Sequence, residues 1–320
     1  MFLMPEVFIN IFVDTTIYIF FLISLYIAIL VVKYFDINKD TYLQYSLEKR
    51  TYLVSTIVQY GQFLKIVLFF YFIFTLDKLS NIIPGAMCAA GVITANRYGV
   101  GLLVLKVLNL YLFGLWILAN RVDLNTKDYR FTKFKFKFFI AIFLLITIEL
   151  ILEFLYFNAI DISKIVSCCG VLFNPISSSS VSLLLQIPTK IVVIVFYSLF
   201  IIGLVAAYFK RRAIYCFLNI LFLIFSILAI IQFFSPYIYE LPTHKCPFCF
   251  LQKEYFFVGY IIYSALFLGT FFAFSEWFGA KFLKKELNFF KASIFFNLIF
   301  VMILTSYVFV YYIKNGVWLF

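Results

Sequence analysis

Long, almost uninterrupted apolar stretches alternate with short polar segments along the whole chain. Eight of these stretches reach the roughly 20 residues that a helix needs to cross about 30 Å of hydrocarbon. They are too long for buried strands, and charged or Pro- and Gly-containing segments bound each one. The pattern predicts eight transmembrane helices, at 11–32, 52–76, 98–118, 138–158, 188–209, 213–234, 255–275 and 293–313.

The composition supports a membrane protein and excludes a soluble one. The 320 residues are 65% hydrophobic, 22% aromatic and 13% charged, whereas soluble domains are roughly 45–50% apolar and about 25% charged. A soluble fold of this size could not hide so much apolar surface from water. We therefore predict an all-α, polytopic protein with one integral membrane domain over residues 1–320, in contact with the lipid bilayer.

The basic residues predict how the chain is oriented. Of the 26 Lys and Arg, 17 lie in the loops that join odd to even spans, and seven lie in the other loops and at the ends. Because cytoplasmic loops are enriched in Lys and Arg, both termini are expected on the non-cytoplasmic side. The net charge of +11 then reflects membrane orientation, and no nucleic-acid partner is expected.

Five of the six cysteines fall in loops predicted to lie outside the cytoplasm. Cys216, in the sixth span, is the exception and is expected to pack as a small apolar residue. In a bacterial inner membrane the outer side is oxidising, so disulfides form and persist there. Because they lie on this side, the five outer cysteines are candidates for thiol chemistry. They are Cys88, Cys168, Cys169, Cys246 and Cys249.

Cys246 and Cys249 form a C-x-x-C motif just before the seventh span. Pro247 suits the first turn of a helix, and the N–H groups and macrodipole of a helix N-terminus stabilise a thiolate. We therefore expect the motif to begin the seventh helix. His244, the only histidine, could act there as a base, as a cationic stabiliser or as a metal ligand.

The run CPFCFLQKEYFFVGYIIY resembles the bacterial disulfide-bond-formation membrane oxidoreductases (the DsbB family) and, more distantly, the vitamin K epoxide reductases. The resemblance implies transfer of electrons from the thiols of Cys246 and Cys249 to a quinone. It also places Gln252 and Lys253 where that family has a Gln/Arg-type pair near the quinone. The similarity covers about 20 of the 320 residues, and that family has four spans, so it implies nothing about the fold of this chain.

Together these features suggest a membrane thiol–disulfide oxidoreductase that exchanges electrons between outer cysteines and a quinone-like carrier. Cys246 would be the nucleophile and Cys249 the resolving thiol. An extracytoplasmic thiol protein would be the partner. The candidate relay thiols are Cys168, Cys169 and Cys88.

The alternative is a non-enzymatic transporter or assembly subunit whose outer cysteines are structural disulfides or metal ligands. Soft ligands of this kind suit Cu(I) or Zn²⁺. Apart from the C-x-x-C, no ligand spacing supports such a site, so the sequence does not assign a metal. The residues that would form it are Met87, Cys88, His244, Cys246 and Cys249.

Four charged residues lie deep within the predicted spans, away from the span ends: Lys65, Lys106, Glu149 and Glu153. Ionisable groups at membrane depth cost several kcal/mol unless they are paired, so we expect these four to face inward together. Glu149 and Glu153 share one face of the fourth helix. The group is expected to act as structural ion pairs, as a proton path, or as the polar end of a site for a quinone or a lipid head group.

A short internal similarity suggests a duplication. The segment IPGAMC precedes the third span and LPTHKC precedes the seventh, and these two spans run in the same direction. Parallel repeats of this kind occur in transporters. We therefore predict two four-helix halves, 1–160 and 161–320.

Overall fold

The computed structural model of the protein is helical throughout, with no strand among the residues that it describes. Within the described part of the chain, eight helical segments are long and apolar enough to cross a membrane. The predicted all-α, eight-span architecture is therefore confirmed, and the protein is an integral membrane protein that contacts the bilayer. The described residues are 4–36, 41–126, 129–162, 165–166 and 186–319.

The observed helices coincide with the predicted spans, and most of them run several residues longer at one or both ends. The sixth span is composite, because a π-helical turn at Ile230–Phe234 joins two α-helices. The α-helices are α1 (Pro5–Tyr34), α2 (Tyr42–Ser80), α3 (Ala89–Ile93), α4 (Gly99–Leu124), α5 (Thr132–Asn158), α6 (Thr189–Tyr208), α7 (Arg212–Ala229), α8 (Ser235–Tyr239), α9 (Val258–Phe282) and α10 (Phe290–Asn315).

The chain divides into two compact units. Unit 1 comprises Met1–Leu79 and Ile93–Ile162, and unit 2 comprises Ser80–Val92 and Ser163–Phe320. The short stretch Ser80–Val92, which carries Cys88, thus belongs to unit 2. Each unit holds four of the eight spans; descent from a duplication stays a prediction.

The polar residues of the spanning helices face inward, as a lipid solvent requires. In α1 the side chains of Asn10 and Asp14 are buried, whereas Phe12 and Phe20 are exposed. Lipid accepts apolar side chains on any outer face but offers no hydrogen bonds. Polar groups must therefore be satisfied inside the bundle.

The π-helical turn follows from Pro236, which has no N–H to donate and whose ring clashes with the preceding turn. The backbone N–H of Ser235 bonds to the carbonyl of Ile230, five residues back. The helix then ends at Tyr239, because Glu240 adopts a left-handed conformation with φ of 55°. This end of α8 brings Tyr239 to the candidate site.

The expectation that the C-x-x-C begins the seventh spanning helix was wrong. Cys249–Leu251 forms a single 3₁₀ turn, and α9 begins only at Val258. Phe256 and Phe257 have φ values of 54° and 55°, and two successive left-handed residues interrupt a right-handed helix. The thiols of the motif therefore lie in a loop and receive no stabilisation from the N-terminus of α9.

Candidate functional site

Three cysteines from two separate loops meet inside unit 2. Cys88 directly precedes α3, and Cys246 and Cys249 lie between α8 and α9. Their three Sγ atoms all lie within 4.8 Å of one another, and the Sγ atoms of Cys88 and Cys246 are 3.5 Å apart. A disulfide bond measures about 2.05 Å, so these are thiols in contact. We call these three residues the cysteine cluster.

The cysteine cluster is enclosed in the core of unit 2. Cys88 and Cys246 have no exposed surface, and Cys249 is 5% exposed. Cysteines that attack another protein need to be at least partly accessible. The burial favours a small ligand, or exchange among the three sulfurs, over direct reaction with a protein thiol.

Two tyrosines hold the C-x-x-C loop in place. The Tyr239 hydroxyl donates to the carbonyl of Cys246 at 2.6 Å and accepts from the backbone N–H of Phe250 at 3.0 Å. The Tyr263 hydroxyl donates to the carbonyl of Pro247 at 2.6 Å. Buried loop carbonyls and amides need such partners, since an unpaired one costs about 1–3 kcal/mol.

Close packing against α9 completes the support of the loop. A Cβ at Gly259 would lie 2.5 Å from the Phe250 ring and 2.8 Å from a methyl of Leu251, so only glycine fits there. Within the loop, the backbone N–H of Phe248 points to the Cys246 sulfur at 3.4 Å. A donor at this position stabilises a negative charge on sulfur.

His244 lies beside the cysteine cluster but is not one of the mutually close group. Its Nε2 atom is buried and has no hydrogen-bond partner among the described residues. Burial lowers the pKa of His244 below its usual value, and a thiolate at Cys88 would act in the opposite direction. The neutral imidazole that results carries a lone pair that can bind a metal ion.

The remaining residues that the sequence suggested for thiol or metal chemistry do not join the cysteine cluster or lie outside the described residues. Cys168 and Cys169 lie outside the described residues. Cys216 is buried within α7 and is not part of the cysteine cluster. Met87, considered as a soft ligand, is 67% exposed. Gln252 donates a hydrogen bond to the Met87 carbonyl at 3.3 Å, so it ties the two cysteine-bearing loops together.

A second polar cluster lies in unit 1. It joins all four charged residues predicted within the spans, together with Asp14 of α1. Lys65 contacts a carboxylate oxygen of Asp14 and lies 3.0 Å from Glu149. Lys106 lies 3.0 Å from Glu149, 2.7 Å from Glu153 and 3.4 Å from Asp14. All five side chains are 5% exposed or less. We call these five residues the charge cluster.

Asp14 is the member of the charge cluster that the sequence analysis missed. The first span was predicted to begin at residue 11, which placed Asp14 at the membrane edge. Because α1 begins at Pro5, Asp14 is in fact more than two turns inside the helix. An ionisable residue among apolar neighbours was the available signal.

The charge cluster is a poor site for a metal cation, although its three carboxylates lie within 4.8 Å of one another. Two lysine ammonium groups already contact these carboxylates. A divalent cation in the same place would be repelled by both.

No protein-family model, curated protein or solved structure matches this chain. Function is therefore argued from the chemistry of the two clusters.

Proposed function

We propose that this protein binds a thiophilic metal ion, Cu(I) or Zn²⁺, at the cysteine cluster and serves, without catalysis, in the transport or delivery of that ion. The observation that carries the proposal is the convergence of three buried sulfurs, all within 4.8 Å of one another. This departs from the redox role that the C-x-x-C motif alone favours.

The spacing of the sulfurs suits metal ligation. Tetrahedral ligands at a Zn–S distance of about 2.3 Å lie about 3.8 Å apart. The pair of Cys88 and Cys246 is at 3.5 Å, so only small adjustments would bring three sulfurs around one ion. Thiolates are soft ligands, which select Cu(I) and Zn²⁺ over harder cations.

Charge supports the same assignment. Three thiolates in an apolar core would need a bound cation to stay ionised, so the metal-free protein would keep its thiol protons. A metal ion displaces these protons and compensates the negative charge. The N–H of Phe248 then stabilises the Cys246 sulfur. Three thiolates suffice for Cu(I), and His244 would complete a Cys₃His set for Zn²⁺.

The expected location follows from the span count. The two loops that carry the cysteine cluster join the second to the third span and the sixth to the seventh. In an eight-span chain both loops open on the same side of the membrane. The Lys and Arg distribution supports the non-cytoplasmic side, and we propose the bacterial inner membrane as the location.

The proposal is tested by metal titration of the purified, fully reduced protein in detergent. We expect one Cu(I) or one Zn²⁺ per chain in competition with a chromophoric chelator. X-ray absorption of the bound ion should show sulfur ligation. Stoichiometric binding with only oxygen or nitrogen ligands, or no binding, would contradict the proposal.

A thiol–disulfide oxidoreductase is the second candidate, and the 3.5 Å contact of the Cys88 and Cys246 sulfurs favours it. Bond formation between these sulfurs would release two electrons and two protons, which a quinone-like carrier would take up to become the quinol. Cys249 would exchange with the resulting disulfide, and an extracytoplasmic thiol protein would supply new electrons.

Thiol trapping separates the two candidates. The metal-free protein is incubated with and without a soluble quinone, and its thiols are then alkylated and counted by mass. The metal proposal predicts that Cys88, Cys246 and Cys249 stay reduced in both samples. A Cys88–Cys246 disulfide that forms only when quinone is present, and as fast as a catalytic cycle requires, would support the oxidoreductase instead.

Removal of the Tyr239 hydroxyl is expected to weaken metal binding without removing a ligand. In Tyr239→Phe the Cys246 carbonyl and the Phe250 N–H lose their partner, so the loop is held less firmly. Losses of groups that orient metal ligands cost about 10–100-fold in affinity. The measurement is the same chelator competition.

Tyr237→Phe is the matched control for this prediction. Tyr237 lies in the same short helix, and its hydroxyl accepts from the backbone N–H of Leu319. Removal of the Tyr237 hydroxyl should leave the affinity for the metal ion unchanged. Equal losses in the two variants would show that α8, and not the contact with the loop, determines the effect.

A further inference from the structure

The charge cluster of unit 1 contains three carboxyl groups and two ammonium groups. We propose that it is a proton-binding site within the membrane, where Asp14 and Glu153 share one exchangeable proton. This inference concerns unit 1 alone and does not depend on metal binding at the cysteine cluster.

The first argument is charge balance. Four helices of unit 1 contribute to the cluster: Asp14 comes from α1, Lys65 from α2, Lys106 from α4, and Glu149 and Glu153 from α5. With every group ionised, the cluster would carry one excess negative charge away from water. An uncompensated charge at membrane depth is strongly unfavourable. One bound proton makes the cluster neutral.

The second argument identifies the carboxyl groups that hold this proton. Glu149 is fully engaged, because Lys65 and Lys106 both contact its Oε1 and Asn109 donates to its Oε2 at 2.5 Å. Glu153 is different. Lys106 binds its Oε2, but no donor among the described residues reaches its Oε1, although the residue has no exposed surface.

Asp14 is the neighbour that can share a proton with Glu153. One of its carboxylate oxygens lies within 4.8 Å of a carboxylate oxygen of Glu153. Two carboxylates in contact repel each other, whereas a carboxyl group and a carboxylate form a strong hydrogen bond. A proton between them therefore satisfies the Oε1 atom of Glu153 and removes the excess charge at once.

A small cavity adjoins the cluster. It is about the size of one water molecule and is lined by Lys65, Lys106 and Glu149, with apolar residues around them. A water molecule there would contact the charged groups without opening the helices. The chemistry fits a site that takes up and releases one proton, as a proton-coupled membrane protein needs.

Infrared difference spectroscopy of the purified full chain tests this proposal. At neutral pH the wild type should show the C=O stretch of one protonated carboxyl group, shifted in D₂O. Glu153→Gln and Asp14→Asn should each abolish the band, because two carboxylates then balance two ammonium groups. Lys106→Met should instead double it, because the loss of a positive charge requires a second proton.

Glu286→Gln is the control, since Glu286 is an exposed acid paired with Arg212 in unit 2; it should leave the band unchanged. A wild type without the band, or a band that survives in both Glu153→Gln and Asp14→Asn, would overturn the proposal. So would a band that disappears on addition of Na⁺, since a metal cation would then occupy the site. The wild-type result does not depend on the folding of any variant.

Discussion

Replacement of Cys246 by serine is expected to lower the affinity for Cu(I) or Zn²⁺ by more than about 100-fold, a larger loss than removal of a group that merely orients a ligand. Cys246 lies in direct contact with the Cys88 sulfur. Serine is nearly isosteric, but its hydroxyl is a hard and weakly acidic ligand that does not replace a thiolate. Chelator competition measures the affinity, and the ligand-to-metal absorption of Co²⁺-loaded protein measures the number of bound thiolates.

Cys216→Ser provides a matched control for the Cys246→Ser variant. Cys216 is also buried in unit 2, but it lies in α7 and outside the cysteine cluster. The same chemical change should leave both the affinity and the thiolate count intact. If Cys216→Ser weakened binding as much as Cys246→Ser, the site would not be the cysteine cluster, and the proposed function would fail.

Replacement of Lys106 by methionine is expected to destabilise the protein by about 3–5 kcal/mol, the usual cost when one partner of a buried ion pair is removed. Lys106 contacts all three carboxyl groups of the charge cluster. Without it, a single ammonium group faces three acids, and a second proton must be bound to limit the charge. Unfolding in increasing denaturing detergent, monitored by circular dichroism, measures the loss.

Two further variants test the reason for this loss. Lys106→Met combined with Glu153→Gln restores the charge excess of the wild type and should recover part of the stability. Lys281→Met removes an exposed lysine of α9 that lies over the Trp277 ring, and such surface changes stay within about 0.5 kcal/mol. If the double variant were no more stable than Lys106→Met, packing and not charge would explain the effect.

The eight spans could be predicted from the sequence because the membrane imposes a length and a composition on each helix separately. No knowledge of the neighbouring helices is needed for that. The ends of the helices were predicted less accurately, since apolar and polar residues mix near the membrane surface. This uncertainty had a consequence at α1, where the early start at Pro5 moved Asp14 from the edge into the interior.

The loop with the C-x-x-C shows a different limit. Cys246 and Cys249 were recognised from their spacing, and Pro247 pointed to a helix start. The loop instead stays irregular as far as two phenylalanines with positive φ, Phe256 and Phe257. No feature of a phenylalanine side chain predicts a left-handed backbone. The backbone N–H groups of Phe256 and Phe257 instead bond to the carbonyls of Lys253 and Gln252, which closes a local turn.

By itself, the sequence determined the all-helical membrane architecture and the residues that are costly in it. A lysine or glutamate within an apolar span is costly wherever its partner lies, so the sequence alone reveals it. Only the tertiary structure decided which of these residues meet. Cys88 and Cys246 are 158 positions apart, and the contact between their sulfurs follows from the packing of the two loops in unit 2. In unit 1, the approach of α1 to α5 adds a third carboxyl group to the charge cluster, because side-chain contacts over such distances depend on how the helices pack.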